Sequence, residues 1–98
     1  MNIQAMMRQA QAIQKDMMKA KDEIDSKTYE GTSSFVKVSV KGNKKVSSIT
    51  IDKSELSKDD IEMLQDMLVV ALNDAMQQID KETEQKLGKY TQGMPGLF

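Results

Sequence analysis

The sequence predicts an α+β fold, a small antiparallel sheet flanked by two long helices in the order α-β-β-β-α. Three observations carry it. Apolar residues recur in steps of three and four from Ile3 to Ile24. The period drops to two between Phe35 and Ile51, then returns to 3.6 from Ile61, with no breaker before Gly88. The 98 residues read as a single domain, 1–98. It holds a helix at 2–25, strands at about 28–30, 35–41 and 45–51, a helix at 58–88, and an extended tail at 89–98.

The first helix carries one apolar seam: Ile3, Met6, Ala10, Ile13, Met17, Ala20 and Ile24. It is rich in Met, Ala, Gln and Lys, all good helix formers, and has neither glycine nor proline. Its length is roughly 33 Å at about 1.5 Å per residue. A compact chain of this size has a radius of gyration of only about 13 Å. Such a helix wraps the globule, projects from it, or packs on another copy.

The stretch "SKTYEGTSS" ends the helical period with Gly31 and a Ser/Thr cluster, leaving room for a short edge strand at Thr28–Glu30. In "FVKVSVKGNKKVSSITI" Val36, Val38 and Val40 share one face. Beyond the turn Ile49 and Ile51 share a face, with Val46 on the opposite one. Gly42-Asn43 suits the reversal because both residues tolerate positive φ. A hairpin with one apolar face is marginal without a cover, which the helices supply.

Ser57 is placed to cap the second helix, with Asp60 three residues on, and Asp59, Asp60 and Glu62 suit its N-terminal dipole. Its stripe runs Ile61, Leu64, Leu68, Leu72, Ala75, Ile79, and at "MLVVAL" the helix is apolar all round. One chain offers too little to cover these surfaces, and symmetric dimers are the commonest oligomers. Ile3, Met6, Ala10, Ile13 and Met17, with Leu64, Met67, Leu68 and Ala71, are therefore the expected dimer interface. The alternative is a monomer in which the first helix lies antiparallel along the second.

Composition narrows the function. There is no cysteine and no histidine, so disulfides, thiol nucleophiles, zinc sites and the commonest general base are out; no catalytic residue, metal ligand or cofactor site is expected. The N-terminal sequence has no leader pattern, and "MLVVAL" falls far short of the ~20 residues that span a bilayer. A cytoplasmic protein with no membrane partner and no small-molecule substrate is expected. Net charge is −1 and the pI about 5.4, but the charge is polarised. Residues 1–27 carry +1, residues 28–51 carry +3, and residues 52–98 carry −5.

With the elements in order, the chain resembles the YbaB/EbfC family of bacterial nucleoid-associated proteins over its whole length. The likeness rests on "MMRQAQAIQKDM", "YEGTSSFVKVSVKGNKKVSSITID", "DIEMLQDMLVVALNDAMQQID" and the ending "GKYTQGMPGLF". The resemblance implies a homodimer whose paired helices protrude like tweezer arms from a central sheet. It also implies binding of double-stranded DNA with weak sequence preference, a nucleoid location, and roles in chromosome organisation and gene regulation. Two differences stand out: "GTSS" is less glycine-rich than many members, and the second helix is strongly acidic.

The residues offer a chemistry for such contact. Arg8, Gln11, Lys15 and Lys19 form an outward ridge opposite the seam, beside Gln4, and no acid precedes Asp16. Cations and amides on a rigid ridge suit phosphate oxygens, which dominate affinity without reading sequence. Lys37, Lys41, Lys44 and Lys45 cluster at the hairpin, and Lys27 can join either group. A solvated face of an ordinary helix has the same look, and the acidic pI departs from the usual basic footprint. Contact is expected through the first helix and hairpin, away from the ten carboxylates that follow Ile51. The competing reading is a dimeric adaptor or chaperone that holds a protein partner on adaptable surface around Met7 and Met18. A third is an assembly part stacking through open sheet edges.

Overall fold

The computed structural model describes residues 2–91. The elements are α1 (Ile3–Ser26), β1 (Thr28–Ser33), β2 (Val36–Lys41), β3 (Val46–Ile51) and α2 (Lys58–Thr91). The strands form one antiparallel sheet in the order β1-β2-β3. Asn2 caps α1, its side-chain oxygen accepting the Ala5 N–H at 3.3 Å. At the far end the Ser26 hydroxyl donates to the Asp22 carbonyl, and Lys27 turns to extended backbone.

β1 is longer than the sequence suggests. Gly31 does not end it but lies inside it, paired with Val38. A Cβ at Gly31 would stand 1.9 Å from the Ala71 carbonyl oxygen of α2, so the missing side chain lets the helix backbone lie directly on the strand. The reversal falls at Ser34 and Phe35, where Ser34 takes φ 52°. The next turn also differs from expectation. Its positive φ belongs to Lys44, at 71°, while Gly42 is needed for a close approach: a Cβ there would lie 1.8 Å from the Ile24 carbonyl oxygen.

One apolar face of the sheet receives α2. Val36, Val38 and Val40 are fully buried, with Ala71, Ala75, Ile79, Leu87, Tyr29 and Ile24 completing the core. Val38 pairs with Ile49 and Val36 with Ile51, so these share a face. A register shift beyond Ser39 then pairs Val40 with Val46, leaving Ser47 as the extra residue. This bulge moves Val46 onto the same face as Ile49 and Ile51, not the opposite one.

The start of α2 is a reciprocal capping box: Asp60 N–H donates to the Ser57 hydroxyl at 3.4 Å, and Ser57 N–H to the Asp60 carboxylate at 2.9 Å. These bonds, with Lys53 at 2.9 Å, hold Asp60 below the usual carboxylate range. The helix does not stop at Gly88 but continues through Lys89, Tyr90 and Thr91. A glycine inside a helix costs only about 1 kcal/mol, and burial of Leu87 with packing of Tyr90 on the core outweighs it. The rest of the expected extended tail, 92–98, lies outside the described residues.

The molecule measures 71 × 21 × 14 Å, with a radius of gyration of 19.3 Å. Lys21, Ile24 and Asp25 border the same cleft as Ile79, Asp80, Thr83 and Leu87, so α1 joins α2 near its C-terminal half. α2 alone is about 51 Å long. The remaining length requires α1 to run antiparallel and project past the end of α2, which leaves Ile3, Met6 and Ile13 about half or more exposed.

Replacing Gly31 with alanine forces the helix off the sheet. We expect Gly31→Ala to lose about 2–3 kcal/mol in urea denaturation, the upper part of the range for overpacked cores. An exposed control, Gln4→Ala, should change little.

Candidate nucleic-acid interface

The side of α1 that packs is defined by Met17, Ala20 and Ile24. At about 100° per residue, Arg8, Lys15 and Lys19 lie on the opposite side, with Gln11 beside them. All four are exposed. Among the described residues no carboxylate pairs with Arg8, Lys15 or Lys19. Their charge is free to meet a polyanion.

The hairpin lysines divide. Lys41 and Lys45 make no ion pair among the described residues, and the Lys45 backbone is set by its N–H donating to the Asn43 side chain at 3.0 Å. Lys44 reaches Asp80 of α2 at 3.2 Å, and Lys37 reaches Glu30 of β1 at 3.3 Å. Both pairs are open to solvent and of small energetic weight, but each offsets a positive charge.

Lys27 is more firmly held. Its ammonium donates to both oxygens of Glu82, at 3.0 and 3.1 Å, and lies 5.3 Å from the centroid of the Tyr29 ring. Glu82 also accepts from the Tyr29 hydroxyl and from Lys86 at 3.0 Å. The Tyr29 bond, then Lys86 and Lys27, bring the Glu82 carboxyl down to about 2, against an ordinary 4.5. Burial, with the Glu82 bond and charge, pushes the Tyr29 hydroxyl well up. Sequence reading missed Glu82, because its partners Lys27 and Tyr29 are 55 and 53 residues away. Lys27 therefore fastens the α1–β1 junction to α2, and its charge is spent there.

The expected dimer residues also separate. Ile3, Met6, Ala10 and Ile13 are exposed, while Met17, Leu64, Met67 and Leu68 are half-buried. Ala71 is fully buried against Gly31 within its own chain, so it offers no surface to a second copy. The surrounded centre expected at "MLVVAL" is likewise incomplete, since Val69 and Val70 stay 58% and 55% exposed. Among the described residues no group of three or more acidic, His or Cys side chains could hold a metal ion. Nor is any helix long and apolar enough to cross a membrane.

A model of the YbaB/EbfC DNA-binding family matches residues 1–94. The chain belongs to that family. It is 43% identical over 99 residues to a nucleoid-associated protein of Ligilactobacillus salivarius, covering 99% of this chain and 95% of that protein. It is 45% identical over 97 residues to one of Lactococcus lactis subsp. cremoris, covering 97% and 98%. The crystal structure of the uncharacterized protein HP0035 from Helicobacter pylori superimposes with a TM-score of 0.70. At 20% identity, over 92% of this chain and 97% of that one, it shares the fold of this YbaB/EbfC member.

The lowered pKa of Glu82 makes the arm junction acid-sensitive. A carboxyl depressed in the folded state contributes stability above its unfolded value, and that contribution fades as pH falls. The window runs from about 4.5 down to about 2. Glu82→Gln should be less stable than wild type at neutral pH, and the gap should narrow across this window in chemical denaturation. A constant gap would assign the loss to packing alone.

Proposed function

We propose that this protein is a homodimeric nucleoid-associated protein of the cytoplasm that binds duplex DNA through its phosphate backbone, with little sequence preference. On this reading it contributes to chromosome organisation and gene regulation, with no catalytic step. One observation carries it: a line of unpaired cations, Arg8, Lys15 and Lys19, on the side of a projecting helix that faces away from its own packing. Lys41 and Lys45 extend the surface at the hairpin. Lys27, Lys37 and Lys44, each tied to a carboxylate, contribute less. Contacts to phosphate fix orientation and carry no base information, which fits a low-specificity binder. Its relatives are named nucleoid-associated proteins, which agrees with this reading.

The dimer is supported by apolar surface that one chain leaves uncovered. Val46, Ile49 and Ile51 of β3 and Ile61, Met63, Val69 and Val70 of α2 are all at least 38% exposed. A second reading, an adaptor for a protein partner, draws on Met7 and Met18, which are 57% and 56% exposed and adaptable in shape.

Titration of labelled duplex separates the two. Three cations per protomer give a dimer on the order of six phosphate contacts, and such proteins lose about 10³-fold in affinity between about 50 and 200 mM salt. The combined change Arg8→Glu, Lys15→Glu and Lys19→Glu should remove the gel shift, while light scattering still reports about twice 11.0 kDa. Undiminished binding by that variant would overturn the assignment of the ridge. Indifference of the wild type to DNA at low salt would favour the adaptor.

A further inference from the structure

The apolar seam of α1 is covered along only half its length. Met17, Ala20 and Ile24 pack against the core, whereas Ile3, Met6 and Ile13 are about half or more exposed. All six belong to one helical stripe, so the open part faces the same way as the packed part. The packed part lies on α2, where Ile24 borders one cleft with Ile79, Thr83 and Leu87. Seven residues back from Ile24 along α1 is Met17, and eight on from Thr83 along α2 is Thr91. In an antiparallel pair the two stand about level. The chain therefore leaves α2 into the space that the open seam faces.

We infer that residues 92–98, "QGMPGLF", lie along this open seam of their own chain. Met94 then sits near Ile13 and Ala10, and Leu97 and Phe98 near Met6 and Ile3. The reach is right: α1 rises roughly 21 Å from Met17 to Ile3, and seven extended residues span up to about 23 Å. Chemistry agrees with reach. The segment holds no charged side chain and three large apolar ones, Met94, Leu97 and Phe98. Pro95 disfavours a helical conformation at Met94 and takes away an amide donor, so the sequence favours an extended course past the seam.

The other occupant to weigh is a second copy. The apolar surface invoked above for a dimer includes Ile61, Met63, Val69 and Val70, in the first half of α2 and toward the opposite end of the body from Ile3. A segment tethered at Thr91 also meets the seam at an effective concentration on the order of mM, which a separate molecule rarely matches. The projecting helix needs such support. Residues 3–16 make an unbraced stretch of a length, about 12–15 residues, at which an isolated helix is marginal in water. A seated tail stiffens that arm and with it the positions of Arg8 and Lys15. The seating itself does not depend on what the arm binds.

The chain has no cysteine, which allows a direct test in the full-length protein. Ala10→Cys combined with Met94→Cys, gently oxidised, should close a loop within one chain, seen as a reductant-sensitive shift in gel mobility at single-chain mass. Lys15→Cys with Met94→Cys should stay reduced. Position 15 is nearer Thr91 along the helix, but it lies on the opposite face. Without these cysteines, Leu97→Ser with Phe98→Ser should speed amide exchange across residues 5–14 about tenfold, the effect of uncovering roughly one large apolar side chain. Exchange in the sheet should not change. Equal linking of positions 10 and 15 would mean a tail without a fixed seat and would overturn the inference. A linked product of about twice 11.0 kDa would also overturn it, by assigning the tail to the seam of another copy. No link at position 10, with exchange in α1 indifferent to the serine substitutions, would leave the seam without this occupant.

Discussion

The constraint on which the rest of this molecule depends is a close approach between two backbones. At Gly31 the strand comes so near the α2 main chain that even a methyl group has no room, and Ala71 and Ala75 keep the helix side equally thin. The line of α2 across β1 and β2 follows from that seat. So does the full burial of Val36, Val38 and Val40 beneath it, while β3 lies beyond the reach of the helix. A second backbone contact, Gly42 on the Ile24 carbonyl, seats the end of α1 on the hairpin. Two glycines thereby set where both helices leave the sheet. The apolar surface that stays open, on β3 and on the first half of α2, is what remains when one narrow helix covers two strands of three.

Much of this was legible in the sequence because it is local. Periods of 3.6 and 2 report which residues share a face, and the capping pair Ser57 and Asp60 is written within four residues. What depends on distant partners was not. Gly31 reads as a breaker by composition, and only the presence of α2 above it turns it into part of a strand. Strict alternation puts Val46 on the face opposite Ile49 and Ile51, which a single extra residue at Ser47 reverses. Gly88 looks like a stop, yet neighbouring Leu87 and Tyr90 carry the helix past it.

The proposed binding surface shows the same division. The ridge of Arg8, Lys15 and Lys19 follows from helical spacing alone, so it could be named from the sequence. Which lysines keep their charge available could not. Lys27 meets Glu82 and Lys44 meets Asp80 only because the fold brings α2 alongside the sheet. Of the lysines placed by sequence on the binding surface, three therefore have an acidic neighbour that no pattern along the chain announces.

That geometry also answers the objection raised by an acidic pI. Net charge is a sum over the molecule, whereas a phosphate feels the charges within about 8–10 Å at ordinary ionic strength. Asp59, Asp60, Glu62 and Asp66 belong to the first turns of α2, toward one end of a body 71 Å long. Arg8 and Lys15 lie on the part of α1 that projects from the other end. The separation is several screening lengths, so those acids scarcely weaken the field at the ridge. The carboxylates that do act are the near ones: Asp80, Glu82 and Glu30 on the hairpin and junction lysines, and Asp16, Asp22 and Glu23 of α1 beside Lys15 and Lys19, so the field is least offset at Arg8. A slightly acidic chain can therefore present a basic surface, provided its fold is long and its opposite charges are kept apart.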